Sequence, residues 1–439
     1  MWGNRVSPRP RPWEGLALLL ALLALVACGG APAPAPTASP APTRAAAQPG
    51  PAASPSPPPP IATPAPRPLA LWVAEEGPAL EGVRGLAREF TASTGTPLEV
   101  LARPADGLRL SLATATLVGD PLPDLFWGDQ ELLAGLLADG QVQPPGVVAP
   151  DDTLPALLTA ATAGDRLWGV PLAGRHSLLL LYNRALTPEA PVTSDALIAR
   201  SRAAATKDVA GLVMAWDEAR WLLPWLYAFG GAPLAPDGRT ISLDTPEMVA
   251  ALGLLRELYA AAPDSGAGYQ RGQRLFAQGY AAFAIDGDWA LPRYRQISAT
   301  LDLGIAPLPV VPATGRPAPG LLGGTYLLFQ RDLSGKDLER ARAFAGWLLE
   351  PATQARIPAT LARLPARASA LEAANVAADP LLAAMASGVT AAPGLPPTPA
   401  ARCVLHAIDG WLPHLLDGAL NQAEAAAAMQ AEAEQCLRL

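Results

Sequence analysis

The chain has 439 residues, with 32 Lys plus Arg against 39 Asp plus Glu and a formal net charge of -7. That balance leaves no basic face to attract nucleic acid or anionic lipid, so no nucleic-acid partner is expected. Three cysteines and three histidines without a Cys-x-x-Cys spacing make a metal site unexpected, and no cofactor is expected either.

Residues 1–27 read as a targeting segment. Arg5, Arg9 and Arg11 form a basic start and Leu16 to Val26 is an unbroken apolar run. That run is too short for a membrane span of about 20 residues. Cys28, placed directly after Leu25-Val26-Ala27, resembles the lipobox of bacterial lipoproteins, in which cleavage leaves the cysteine as a lipidated N-terminus. The resemblance implies an extracytoplasmic protein held to the membrane through a lipid alone. The stretch from Ala31 to Pro68 is almost entirely Ala, Pro, Ser and Thr, which cannot bury enough apolar surface to fold. Residues 28–68 therefore read as a disordered tether, reaching roughly 100 Å when extended at about 3.1 Å per residue.

Leu69 to Leu439 is long enough for two domains with cores of their own. "LALWVA" (Leu69 to Ala74) reads as a buried strand, and the segment from Ala79 to Thr94 places Leu80, Val83, Leu86, Ala87 and Phe90 at helical spacing, with Gly95 as its stop. "PLEVLA" (Pro97 to Ala102) follows as a strand, so the opening unit is β-α-β with parallel neighbours. Arg109 to Val118 continues as helix and "PDLFWGD" (Pro123 to Asp129) as a short strand. The class is α/β, in which ligands lie beyond the carboxyl ends of the strands. At those ends stand Trp127, Asp129 and Gln130, then Asp286, Asp288 and Trp289. Indole rings take the C–H face of a sugar and carboxylates take its hydroxyls, so the pairing suits carbohydrate. Trp72 and Trp347 are assigned to the core. Cys403 and Cys436 are expected to pair in an exported domain, at a stabilisation of roughly 3 to 4 kcal/mol.

Six stretches in order resemble the family 1 extracellular solute-binding proteins, the maltose-binding-like receptors of ABC importers. They are "LWVAEEGPALEGVRGLAREFTASTGTPLEV", "PDLFWGDQELLAGLLADGQVQP", "RLWGVPLAGRHSLLLLYNRAL", "FAQGYAAFAIDGDWAL", "LGIAPLPVVPATGRPAPGLLGGTYLLF" and "ARAFAGWLLEPATQARIPATLARLPARASAL". The resemblance implies a two-lobed periplasmic-binding-protein-like fold of type II with a hinge, each lobe a mostly parallel sheet flanked by helices. Lobe one would be 69–174 with 319–370, and lobe two 175–318 with 371–439. It further implies a monomer that captures a small solute, foremost a sugar or oligosaccharide, in the interlobe cleft and passes it to ABC permease subunits.

Carried onto this chain, the resemblance implies a lobe-one wall of Trp127 and Asp129 and a polar ligand residue at Arg175 or His176, the spacing leaving open which. Arg220 or Trp221 falls at the place of an aromatic stacker; the alternative for Trp221 and Trp225, four apart on a helix, is that they pack inside. Trp289 would stand as a stacking plate after a turn at Asp286-Gly287, with Asp288 capping the next helix. Tyr326 and Trp411 complete the ligand-binding set. Arginine at 175 or 220 suits an anionic sugar as well as a neutral one. The competing classes are an exported glycoside hydrolase, which needs two carboxylates at a defined separation, and a ligand-sensing receptor without transport. The chain carries no Gly-x-Ser-x-Gly elbow, His-Glu-x-x-His or P-loop, so no catalysis is expected.

Overall fold

The computed structural model of the chain describes residues 66–262, 268–297, 301–373, 375–387, 389 and 393–439. The expected targeting segment, Cys28 and all but the last residues of the expected tether lie outside the described residues. Order begins ahead of Leu69, because Arg67 donates to Asp124 at 2.7 and 2.8 Å.

The apolar run Leu69–Val73 (β1) becomes a strand buried on both faces. Gly77–Thr94 (α1) turns Val83, Leu86, Ala87 and Phe90 onto it. Leu98–Ala102 (β2) then pairs parallel with β1, Leu71 opposite Val100, which is the expected β-α-β unit. Ala105–Val118 (α2) leads to Leu125–Asp129 (β3), parallel to β1 on its other side, and Gln130–Ala138 (α3) follows without a break. Val170–Arg175 (β4) belongs to the same sheet, but Leu178–Asn183 (β5), two residues later, opens another. That second sheet adds Ala210–Val213 (β6), Ala281–Gly287 (β7) and Leu303–Ala306 (β8), in the order β8-β5-β7-β6. Ala219–Phe229 (α4) and Tyr269–Ala277 (α5) flank it. The chain returns through Gly323–Gln330 (β9) and Leu364–Pro365 (β10), giving the larger sheet the order β10-β4-β9-β3-β1-β2. The fold is two-lobed and α/β.

Neither sheet is mostly parallel, which corrects the expectation. Parallel pairing is confined to β1 with β2 and β3 in one sheet and to β6 with β7 in the other. The passages between lobes explain this. β3 and β4 run toward the junction, whereas β9 enters from it at Gly323 and so lies antiparallel to both. β5 likewise leaves the junction at Leu178 while β7 arrives there at Gly287.

Each lobe has its own core, with Leu71, Phe90, Trp127 and Phe329 in one and Leu212, Trp225, Leu252 and Ile285 in the other. Trp72 is buried, and Trp347 stacks on Phe344 with centroids 6.4 Å apart. A third cluster joins Leu154, Leu157 and Leu364 to Leu179, Leu181, Phe276 and Tyr294, so apolar packing is continuous at the junction. Pro399–Leu416 (α6) and Gln422–Arg438 (α7) close the smaller-sheet lobe, and a Cys403–Cys436 disulfide ties the start of one to the end of the other across 33 residues. Reducing it is expected to cost about 3 to 4 kcal/mol of stability. Urea unfolding curves with and without reductant check this, and coincident curves would assign the hold to helix packing alone. No helix among the described residues is long and apolar enough to cross a membrane.

Candidate functional site

The strands of the larger sheet deliver charge to the junction. β1 leads into Glu75, which is 5% exposed. Arg363 clasps its carboxylate with two bonds of 2.7 Å and gives another to Thr325 Oγ1 at 3.0 Å. Arg175, at the end of β4, stands 3.5 Å from the same carboxylate. Burial pushes Glu75 up, but the bonds and charge of Arg363, then Arg175, hold it below its ordinary value. His176 takes the left-handed backbone, with φ 60, and sets its ring edge-on to Trp289 at 5.6 Å. Burial first, then Arg175, Arg220 and Arg363, push its imidazole down to about 2, so the ring stays neutral.

β7 supplies the facing wall. Asp286 accepts from Tyr269 Oη at 2.7 Å, Gln273 Nε2 at 3.2 Å, the Gly287 amide at 2.8 Å and Tyr294 Oη. Tyr269 Oη accepts in turn from Trp289 Nε1 at 2.7 Å. Only glycine fits at 287, because a Cβ there would fall 2.0 Å from the Trp289 ring. Asp288 exchanges two bonds with Ser177, accepting its N–H at 2.7 Å and donating its own to the carbonyl at 3.1 Å. The turn after β7 is thereby clasped to the crossing between β4 and β5.

A cavity of 410 Å³ lies between the lobes. α3 contributes Gln130, Glu131 and Ala134; the start of α4 contributes Glu218 and Arg220, and α6 contributes Leu405 and Asp409. Arg220 Nη2 reaches across to Glu131 Oε1 at 3.2 Å, its guanidinium 5.8 Å from the Trp289 ring centre. Burial, then Asp217 and Asp409, pushes the Glu218 carboxyl up. Burial also pushes Asp409 up, against the bond it accepts from the Ala219 amide at 2.6 Å. Such a cavity offers hydrogen-bond acceptors to hydroxyls and leucine and proline surfaces to C–H faces.

Of the residues expected to bind ligand, Arg220 lines this cavity, and Trp289 stands behind it. The others are placed elsewhere in the structure. Trp127 is fully buried, because strand alternation puts it on the core face with Leu125; its indole lies near Glu75 without meeting hydrogen-bond geometry. Tyr326 is fully buried by the same alternation and donates to the Leu157 carbonyl at 3.2 Å. Asp129 caps α3, accepting from the Glu131 and Leu132 amides. Asp286 is 2% exposed and saturated with donors. Trp221 is buried and donates to the Ile285 carbonyl at 2.7 Å, and Trp225 is buried as well. Arg175 and His176 serve the junction, and neither lines the cavity. Asp288 caps no helix, since its carboxylate is committed to Ser177. Trp411 sits against His414, off the α6 stripe of Ala401, Leu405 and Asp409 that lines the cavity.

Gln130, named at the strand end, lines the cavity, and the polar residues Glu131, Glu218 and Asp409, which were not named, each stand two positions from one that was: Asp129, Arg220 and Trp411. The right segments were visible, but the face each presents was not.

The chain folds as two lobes with a cavity between them, the architecture of a solute-binding protein. The chain belongs to the bacterial extracellular solute-binding protein family, whose pattern matches residues 85–384. It is similar to the maltotriose-binding protein of Pyrococcus abyssi (strain GE5 / Orsay), with 22% identity over 356 residues, 79% of this chain and 77% of that protein. Its fold matches the maltose-binding periplasmic protein of Listeria monocytogenes in complex with maltose, with TM-score 0.75, 19% identity and coverage of 84% of this chain and 97% of that one. It also matches the maltose/maltodextrin-binding domain of Bdellovibrio bacteriovorus bound to maltotriose, with TM-score 0.66, 24% identity and coverage of 84% and 100%.

Proposed function

We propose that the chain is the extracytoplasmic capture subunit of an ABC importer, tethered through a lipidated Cys28. It closes on an oligosaccharide and passes it unaltered, as a monomer, to permease subunits. The lobes that close are 69–174 with 319–370 and 175–318 with 371–439. The observation that carries this reading is the interlobe cavity, with Gln130 and Glu131 on one lobe and Glu218, Arg220 and Asp409 on the other. A ligand touching both sets binds the closed form better and so shifts the population toward it. The likeness to maltose- and maltotriose-binding proteins supports a glucose oligosaccharide. Because the cavity walls carry leucine and proline rather than indole, recognition rests on hydrogen bonds to hydroxyls more than on stacking.

Titration calorimetry with maltose and maltotriose, paired with X-ray scattering, tests this. Saturable binding with a fall in radius of gyration is expected, and Glu131→Ala with Arg220→Ala should weaken it about tenfold, or about 1.4 kcal/mol. Silence toward every mono- and oligosaccharide, with thermal stabilisation by peptides or polyamines, would overturn the sugar reading. Appearance of cleaved sugar on incubation would overturn the absence of chemistry.

A further inference from the structure

The cleft does not end at the first cavity. A second, of 530 Å³, adjoins it and shares Ala134, Pro397, Thr398 and Arg402 as walls. It too lies between the lobes, with Leu137 and Trp168 on the larger-sheet side facing Arg239, Arg402 and Leu437.

Its charge balance differs. The first cavity sets Glu131, Glu218 and Asp409 against Arg109, Arg220 and Arg402, whereas the lining of the second contains Arg239 and Arg402 and no acidic residue. The arginines expected to favour an anionic ligand each face a carboxylate, Arg175 the Glu75 group it shares with Arg363 and Arg220 that of Glu131. Arg109 at the cleft is likewise paired, with Asp139. Arg239 and Arg402 differ: both are exposed, and among the described residues neither guanidinium makes a hydrogen bond or ion pair, although the Asp237 carboxylate that accepts from the Arg239 amide lies near enough to feel its charge. Arg239 reaches over the opposite lobe, its Nη2 lying 3.8 Å from where a Cβ on Gly164 would stand. The same wall carries the first residues of α6, Pro399 and Ala400, so the positive end of an 18-residue helix adds to the field. Trp168 spends its indole N–H on the Ala163 carbonyl at 3.3 Å, leaving its ring as apolar surface.

We infer that the second cavity is a subsite for the anionic end of an elongated ligand, an oligosaccharide ending in a carboxylate, phosphate or sulfate. Arg239 and Arg402 hold the oxyanion, for which the planar guanidinium fork is suited, and the adjoining ring lies against Trp168. This rests on the proposed capture of an oligosaccharide in the first cavity.

The test compares maltotriose with maltotriose carrying a 6-phosphate on a terminal glucose, by calorimetry at low salt, on the wild type and on an Arg239→Gln, Arg402→Gln double variant. The phosphorylated sugar is expected to bind the wild type at least tenfold tighter, or about 1.4 kcal/mol. The double variant should abolish that preference, and Arg239→Gln alone, which lies outside the first cavity, should weaken it severalfold and leave maltotriose binding unchanged. Equal affinities in the wild type, or a preference that survives both substitutions, overturn the subsite and leave neutral-sugar capture standing. Should neither trisaccharide bind, the oligosaccharide reading fails instead, and inorganic pyrophosphate alone decides the subsite. Thermal stabilisation by pyrophosphate that disappears in the double variant supports it; no stabilisation of the wild type overturns it.

Discussion

Replacing Glu75 with alanine is expected to lower the unfolding free energy by about 3 to 5 kcal/mol, the cost of stranding a buried partner. Urea unfolding at neutral pH reads it directly. The loss arises because the Arg363 side chain is 8% exposed and Arg175 stands beside it at 19%. Without Glu75, two guanidiniums would face each other with Thr325 Oγ1 as the acceptor left to Arg363. Burial and then the charge of Arg363 already disfavour the charged form of Arg175, and Glu75 is the first group that offsets them. Substituting both partners, Glu75→Leu with Arg363→Met, should recover much of the loss, since the attraction of a buried pair is largely cancelled by its desolvation. The pH dependence has a definite sign. The folded Glu75 carboxyl titrates below its ordinary 4.5, so its stabilisation is complete above that value and disappears as pH falls through the folded pKa. The doubly substituted protein should therefore lose less stability than the wild type on acidification below pH 4.5. A loss under about 1 kcal/mol for Glu75→Ala would instead place the pair in the range of hydrated surface ion pairs.

The opening β1-α1-β2 unit was legible because local signals agree there: an apolar run, a helical stripe and a glycine stop all fall within 34 residues, Leu69 to Ala102. Sheet direction was not. Whether β9 runs with or against β3 depends on which lobe the chain has just left, a long-range fact that strand patterns do not carry. Of the cavity's polar residues, Gln130 was named from the sequence, and Glu131, Glu218 and Asp409 lie within two residues of positions that were. Trp127 is a large indole at the end of a strand, but its register opposite Val73 and Leu327 sends it into the core. The polar face begins only when the backbone turns into α3, at Gln130 and Glu131. The same holds on α6, where a rotation of two helical positions separates Asp409, in the cavity, from Trp411, off it. The second cavity was invisible in sequence because Trp168, Arg239 and Arg402 meet only through tertiary structure.

Asp286→Ala is expected to cost about 3 to 5 kcal/mol, because it leaves the donors of Tyr269, Tyr294 and Gln273 without their acceptor, at about 1 to 3 kcal/mol for each fully buried group. Tyr294 is 1% exposed and Gln273 6%, so water does not readily replace the carboxylate. Burial pushes Asp286 up while these donors hold it down, and removing the acid relieves the first effect; that relief keeps the expected cost below the sum of the lost bonds. The consequence extends to binding. Tyr269 Oη is the acceptor that fixes Trp289, and the Trp289 ring in turn backs Arg220 and meets His176. Maltotriose affinity should fall about tenfold in Asp286→Ala, a change of about 1.4 kcal/mol. Tyr269→Phe separates the two effects, since it removes the hydroxyl that links Asp286 to Trp289 while Tyr294 and Gln273 keep their acceptor. It should cost about 1 kcal/mol of stability, the net worth of a hydrogen bond, yet weaken maltotriose nearly as much as Asp286→Ala. If Tyr269→Phe binds like the wild type, Trp289 is held by packing on Gly287 and Trp221 alone, and Asp286 supports the fold without reaching the cleft.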